Sequence, residues 1–283
     1  MRVAVMTPTA SLTTRAKLNL SLTITGKRTD GYHLLQSLVA FCEVGDVVTA
    51  TPAPTLSLTV SGRFAEHIHA DATNLVLRAA HLLQHHTGTS QGAALHVDKH
   101  LPVASGIGGG SGDAAATLHL LNQLWECDLS ISDLATLAAS LGSDVPVCIH
   151  ANACWMEGIG ERITPLTVPL PPLYAVLVNP LTPLSTPTVF AECRANEWSG
   201  EQPHEVSLTS LRNDLTAAAI RMCPEIGDIL AALRHTPNAL FAGMSGSGAT
   251  CFALYESKKG AATTRMSLQH LFPSHWMAYG RLH

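Results

Sequence analysis

The chain has 283 residues, 46% of them hydrophobic and 13% charged, with a formal net charge of −4. That length can bury a sizeable core and predicts two domains, and no apolar run approaches the roughly 20 residues of a membrane span. The acidic balance argues against nucleic-acid binding, which asks for a clustered basic face.

Residues 1–6 lack the long apolar core of a secretory signal. Residues 11–24 alternate as a strand does, with Leu18, Leu20, Leu22 and Ile24 on one side. Asp30-Gly31 signals a turn, and His33–Cys42, Asp46–Ala50 and Leu56–Ser61 read as further strands. From Asn74 to His86 the period is helical, with Leu75, Ala79, Leu82 and Leu83 in a stripe. A strand at Ala93–Asp98 leads to Pro102-Val103-Ala104-Ser105-Gly106-Ile107-Gly108-Gly109-Gly110-Ser111-Gly112. The residues from Asp113 onward read as a helix, striped by Leu118, Leu121 and Leu124. Ser130 and Asp133 form a predicted capping box opening a helix that runs to Leu141. Gly142 ends it, leaving Ser143-Asp144-Val145-Pro146 as a connector into a strand.

Prolines at 165, 169, 171 and 172 mark a change of composition, which places a domain boundary near residue 160 and divides the chain into 1–160 and 161–283. Beyond it the pattern predicts a strand at Leu173–Val178, a helix at about Thr188–Arg194 and a polar loop over 196–205. Helices at Ser207–Cys223 and Pro224–Leu233 follow, then strands around Ala239–Ala242 and Thr250–Tyr255, a helix and a last strand. The seven cysteines include no C-x-x-C pair, so they read as reduced core residues of a cytoplasmic protein. His81 and His85 share one helix face but lack a third ligand, which favours a polar surface over a metal site.

The glycine run carries the chemistry. Five of the seven residues from Gly106 to Gly112 are glycine, so bare backbone amides can approach a ligand closely. Feeding directly into a helix N-terminus, they aim donors and a positive dipole end at one point, which suits a phosphate. Ser111 adds a hydroxyl able to ligate a metal ion or a phosphate oxygen. No G-x-x-x-x-G-K-[ST] run occurs, which excludes a P-loop NTPase, and no G-x-S-x-G nucleophile elbow is present. Gly110-Ser-Gly112-Asp-Ala-Ala115 fits a relaxed dinucleotide fingerprint, but it lacks a preceding βαβ unit and the downstream acid.

Four segments combine: Ala16-Lys17-Leu18-Asn19-Leu20 with Gly26 to His33; the glycine run; Gly142-Ser143-Asp144-Val145-Pro146 with Glu157-Gly-Ile-Gly-Glu161; and the glycine turn Met244–Ala249. Together they resemble the GHMP small-molecule kinases, over about residues 10–255. The resemblance implies an α+β, two-domain GHMP kinase fold: an N-terminal ATP-binding domain, a C-terminal ferredoxin-like domain and a cleft between them. It also implies ATP-dependent phosphorylation of an alcohol with Mg2+, and the Asp30-Gly31-Tyr32-His33 segment points to the branch whose acceptor is a cytidylyl-linked methylerythritol. A mevalonate- or homoserine-like alcohol, or a nucleotide-binding module without catalysis, is the competing reading.

By the same resemblance Lys17 and Asp144 are the catalytic pair. Asp144 would orient or deprotonate the acceptor hydroxyl, and Lys17 would keep it ionised and stabilise the transferring group. Residues Pro102 to Gly112 would hold the triphosphate, with Ser111 beside the magnesium ion. Asn74 would contact adenine or else serve as a helix cap. Asn19, Tyr32, His33 and Phe190 would bind the cytidylyl substrate, Tyr32 and Phe190 as flat faces and His33 as the edge reader. The chain departs from the family twice: Ser111-Gly112-Asp113 replaces a Ser-Ser-Asp and loses one hydroxyl, and Gly142-Ser143-Asp144 replaces Gly-Ala-Asp. A monomer or weak homodimer is expected.

Overall fold

The computed structural model describes residues 9–204 and 206–283, so the expectation for residues 1–6 lies outside the described residues. In chain order the elements begin β1 (Ala10–Thr13), β2 (Ala16–Asn19), β3 (Thr23–Lys27), β4 (His33–Cys42), β5 (Val47–Ala53) and β6 (Ser57–Ser61). Then come α1 (Leu75–Thr87), β7 (Gly92–Asp98), α2 (Gly109–Leu124), α3 (Ile131–Ala138), α4 (Val145–His150), β8 (Cys154–Gly158) and β9 (Arg162–Pro165). The chain continues through β10 (Tyr174–Asn179), α5 (Thr186–Glu192), α6 (Thr216–Met222), α7 (Glu225–Arg234), β11 (Phe241–Met244), β12 (Cys251–Tyr255), α8 (Lys258–Leu271) and β13 (Trp276–Arg281).

These elements form two compact units, each assembled from separate stretches of chain. The first takes residues up to Thr14, Gly45–Leu101 and Gly110–His150. Its sheet runs β1-β5-β7-β6, with β6 parallel to β7 and the other pairs antiparallel. The helices α1 to α4 complete it. From Gly112 to Leu118 every residue of α2 is buried, so this helix is surrounded by protein rather than amphipathic. α1 and α3 carry local start signals: Asn74 Oδ1 accepts from Val76 N at 2.9 Å, and the Ser130–Asp133 capping box is present as predicted.

A charged group lies at the centre of this unit. Lys99 Nζ donates to Asp46 Oδ2 at 2.5 Å and to Asp113 Oδ2 at 2.6 Å, with all three side chains at least 94% buried. Asp46 Oδ1 also accepts the amides of His100 and Leu101 at 2.6 and 2.8 Å, so both oxygens of that buried carboxylate have donors. Asp113 Oδ1 has no partner among the described residues. Burial, with the Asp46 charge adding to it and Lys99 opposing, pushes the Asp113 carboxyl up to about 7.

The second unit takes Arg15–Val44, Pro102–Gly109 and Ala151–His283. One sheet is organised on the long β4, which pairs with β3 near its start, β8 along its middle and β2 near its end; β9 closes the edge against β8. The other is antiparallel in the order β11-β12-β10-β13, with α7 and α8 packed on it. Strand, helices, two strands, helix and strand in that order form the ferredoxin-like arrangement expected.

Several expectations need correcting. The strand over 11–24 is three strands: the chain passes from one unit to the other at Thr14–Arg15, and Leu20 and Ser21 both donate to Leu38 O, a local bulge. The boundary near residue 160 instead falls inside the β8–β9 hairpin, neither strand of which was predicted. The strand after Asp144 is the helix α4; its apolar run is buried all round, so periodicity cannot separate strand from helix, and Pro146 is compatible with a first turn. The helix over Ser207–Cys223 is confined to α6. Ser207 and Ser210 bond locally, while Asp214 takes the amides of Ile24 and Ser199, so the polar stretch before α6 is committed elsewhere.

Replacing Lys99 by Met leaves two buried carboxylates unpaired and should lower the unfolding free energy by about 3–5 kcal/mol in urea. Because the folded-state pKa of Asp113 is raised, its contribution to stability is full below the ordinary carboxyl pKa and lost as pH rises toward 7. The melting-temperature advantage of the wild type over Asp113→Asn should therefore shrink steadily from pH 4 to pH 7.

Candidate active site

In the second unit the glycine loop lies against β2. Lys17 N donates to Ile107 O at 2.9 Å, and the Lys17 side chain is buried beside it. Gly108 has φ +67°, and a Cβ there would sit 3.2 Å from Lys17 Cβ. On its other side the loop is held by the glycine turn between β11 and β12. Ser105 O accepts both the amide and the hydroxyl of Thr250, at 3.2 and 2.7 Å. Ser245 Oγ donates to Gly106 O at 2.9 Å and accepts the Asn19 amide at 3.1 Å. Gly106 has φ +75°, and an added Cβ would come within 2.6 and 2.7 Å of the Gly248 and Ser245 carbonyl oxygens.

The residues of the loop divide accordingly. Pro102, Ser105 and Ile107 are buried scaffold, and Ser105 Oγ turns inward to donate to Pro102 O at 2.6 Å. Val103 and Ala104 are exposed. Asn19 is buried: its Nδ2 donates to Ser37 Oγ at 2.8 Å, while Oδ1 has no partner among the described residues. Such an orphan acceptor beside the glycine turn is suited to a ligand's donor.

At the start of β4, His33 stacks on Phe190 of α5 with ring centroids 5.2 Å apart and planes 27° apart. Trp198 meets it edge-on at 5.4 Å and 87°. Burial, then the neighbouring Lys27 charge, lowers the His33 pKa, so the ring is neutral near pH 7 and offers one donor and one acceptor. Tyr32 is 62% exposed. Sequence reasoning had singled out His33, Tyr32 and Phe190 but not Trp198.

The remaining site residues lie in the first unit. The helix α2 begins at Gly109, four residues earlier than predicted, so Gly110, Ser111 and Gly112 form its first turn rather than a loop before it. The first-turn amides of a helix have no partner inside it, so these positions can turn donors toward an anion. Leu75 Cδ1 would be 3.6 Å from a Cβ at Gly110, so the start of α1 lies against the start of α2. Asn74 caps α1, and its Nδ2 also donates to His69 O at 2.8 Å, so both ends of the side chain are engaged. Asp144 is half-buried just ahead of α4, and its carbonyl accepts the Cys148 amide at 3.3 Å. Among the described residues no cluster of three or more His, Cys, Asp or Glu could hold a metal; His81 and His85 are exposed on α1.

Family profiles match this chain twice: the GHMP kinases N terminal domain over residues 74–152 and the GHMP kinases C terminal domain over residues 203–272. The chain is 44% identical to the 4-diphosphocytidyl-2-C-methyl-D-erythritol kinase of Cereibacter sphaeroides, covering 95% of this chain and 97% of the relative. It is 45% identical to the enzyme of the same name from Paramagnetospirillum magneticum, over 96% and 98% of the two chains. The chain belongs to the GHMP kinase family, among its 4-diphosphocytidyl-2-C-methyl-D-erythritol kinases. A crystal structure of a 4-(cytidine 5'-diphospho)-2C-methyl-D-erythritol kinase superposes with a TM-score of 0.82 at 31% identity, over 96% of this chain and 99% of that one. A homoserine kinase from Cytophaga hutchinsonii shares the fold at a TM-score of 0.68 and 17% identity. The two family profiles fall on either side of residue 160, whereas the compact units interleave along the chain.

Gly106→Val should force the loop away from the 245–248 turn. Misplacement of about 1 Å in such a site costs on the order of 100-fold, so kcat/KM for ATP should fall by roughly that factor. Circular dichroism checks that the variant is folded, and unchanged ATP kinetics in a folded variant would show that the loop does not hold the triphosphate.

Proposed function

We infer that this GHMP kinase transfers the terminal phosphoryl group of ATP to the 2-hydroxyl of 4-diphosphocytidyl-2-C-methyl-D-erythritol, on the non-mevalonate route to isoprenoids. The observation that carries this reading is the neutral His33 ring stacked on Phe190 beside the Asp30-Gly31-Tyr32 turn. A flat face next to a donor-acceptor edge suits cytosine; a mevalonate- or homoserine-like alcohol has no ring to use it. The identity of 44–46% with three relatives of that name, over nearly their full length, supports the same acceptor.

Phosphoryl transfer asks for positioning and charge stabilisation more than for covalent chemistry. The backbone amides of the glycine loop and of the first turn of α2 would bind the triphosphate. Lys17, buried beside that loop, would offset the charge that spreads over the transferring group. Asp144 would orient the acceptor hydroxyl and take its proton. Asn19 Oδ1 would accept a hydrogen bond from the substrate. Tyr32 and Phe190 would supply faces for the base, and His33 would read its edge.

Magnesium fits as an ion delivered with the nucleotide. Mg2+ usually keeps several waters and takes few protein ligands besides phosphate oxygens. The Ser111 hydroxyl, on the first turn of α2, is the side chain available to hold it, whereas Asp113, two residues on, is tied to Lys99. When bound, the ion would neutralise phosphate charge. None of the seven cysteines is in a disulfide and six are buried, which suits a reducing cytoplasm, and no described helix is long and apolar enough to cross a membrane. A monomer or weak homodimer suffices for this chemistry.

Asp144→Asn should keep the fold and ATP binding while lowering kcat by about 100- to 10,000-fold, the usual contribution of a general base. A coupled ADP-release assay measures it, and near-normal turnover would remove Asp144 from the mechanism. An unpaired edge-reading bond costs about 1–3 kcal/mol, so His33→Ala should weaken the cytidylyl substrate roughly 5- to 150-fold. Calorimetric titration should show the ATP affinity of that variant unchanged.

A further inference from the structure

The rings that hold His33 are delivered by weak pieces of backbone. Phe190 sits on α5, a helix of seven residues, and Trp198 follows a single 3-10 turn at Ala195–Glu197. Helices this short are not stable on their own hydrogen bonds. Both rings rest partly buried against the apolar core to which α6 and α7 contribute.

A guanidinium bridges the two segments. Arg221 of α6 donates from Nε to Glu192 Oε1 at 3.0 Å and from Nη2 to the Glu192 carbonyl oxygen at 2.8 Å. It also grips Glu197 with two donors, Nη1 to Oε1 at 2.6 Å and Nη2 to Oε2 at 3.1 Å. Glu197 Oε2 accepts the Arg194 amide at 2.9 Å as well, which locks the turn that ends in Trp198. The fork thus ties the end of α5, two residues beyond Phe190, to the residue immediately before Trp198. The bonds from Arg221 hold the Glu197 carboxyl down to about 2, so the pair stays ionised across the working pH range.

We propose that Trp198 is a specificity-determining residue of the base pocket and that Arg221 is the positioning residue that sets it and Phe190 around His33. The proposal rests on the reading of His33 as the group that recognises cytosine. An imidazole reads a base edge only if its ring is fixed about its outer torsion, because a half-turn puts Cδ2 and Cε1 where Nδ1 and Nε2 stood. Phe190 fixes one face of the ring, and Trp198, standing edge-on, blocks that half-turn. Recognition is then preorganised, and the ordering cost falls on folding rather than on binding. A lysine at position 221 would bring the charge without the fork and could not tie both segments.

Steady-state kinetics with the cytidylyl substrate and ATP test this on Arg221→Gln, Arg221→Lys and Trp198→Leu. Each should raise KM for the cytidylyl substrate about three- to tenfold, the effect of freeing one side chain, while KM for ATP stays put. Lys should fail to rescue what Gln loses. In a His33→Ala background, Arg221→Gln should add nothing, because the ring it positions is gone. An unchanged KM in the single variants would overturn the proposal. A parallel rise in both KM values with a lowered melting temperature, or effects of His33 and Arg221 that simply multiply, would overturn it too. If His33→Ala itself leaves the cytidylyl KM unchanged, the cytosine reading fails; if it raises that KM while the Arg221 variants do not, only the present proposal fails.

Discussion

Backbone meets backbone where the loop at 102–109 crosses the turn at 245–250, and the site depends on that approach. Two carbonyl oxygens lie where a side chain at Gly106 would have to begin, and Ser105 O collects two donors from Thr250. Lys17 N closes the loop from the β2 side through Ile107 O. A glycine-rich segment is therefore held on both flanks instead of sampling the conformations open to a free glycine chain. On the proposed function, phosphoryl transfer would gain from this, because donors fixed before the substrate arrives need no reorganisation when charge develops. The same fixation explains why positive φ is tolerated at Gly106 and Gly108, where any other residue would be strained.

Two ion-pair networks serve different ends. Lys99 with Asp46 and Asp113 is buried, has two carboxylates for one ammonium, and joins the start of β5 and the end of β7 to α2. Removing a partner there exposes an uncompensated charge to low dielectric, so its effect is on stability and on stability's pH dependence. Arg221 with Glu192 and Glu197 is partly exposed, with 29% of the arginine side chain open to solvent. Exposed pairs contribute little to the folding free energy. What the fork contributes is geometry: it fixes two short segments whose own hydrogen bonds could not fix them. The first network acts on whether the unit folds, the second on how well a folded unit fits its ligand.

Much of the architecture was legible because it is written locally. The strand His33–Cys42 and the helix after Asn74 appear within about one residue of the predicted bounds, as does the Ser130–Asp133 box. Each rests on a period or a cap contained in a few neighbouring residues. The errors fall where local preference and final environment disagree. Val145–Ile149 is apolar on every side, so the run has no period to read, and it became α4. The β8–β9 hairpin escapes local reading because Gly158-Ile-Gly160 has the composition of a linker, and because the other partner of β8, β4, lies more than a hundred residues upstream.

The residues of the site show the same division. The sequence by itself determined that a glycine run feeds a helix, that Lys17, Asp144 and the Tyr32-His33 pair accompany it, and hence the family. Those signals survive as strings because backbone approach and ring chemistry demand particular residue types at fixed spacing. Only the tertiary structure decided what holds them. Ser245 and Thr250 reach the loop from 139 and 145 residues away, and Asp46 meets Lys99 from 53. Trp198 and Arg221 are ordinary residues of a polar loop and a short helix until folding sets Trp198 against His33 and Arg221 against Glu192 and Glu197. A contact between distant positions carries no local preference, so its energy exists only once the chain has closed the loops between them.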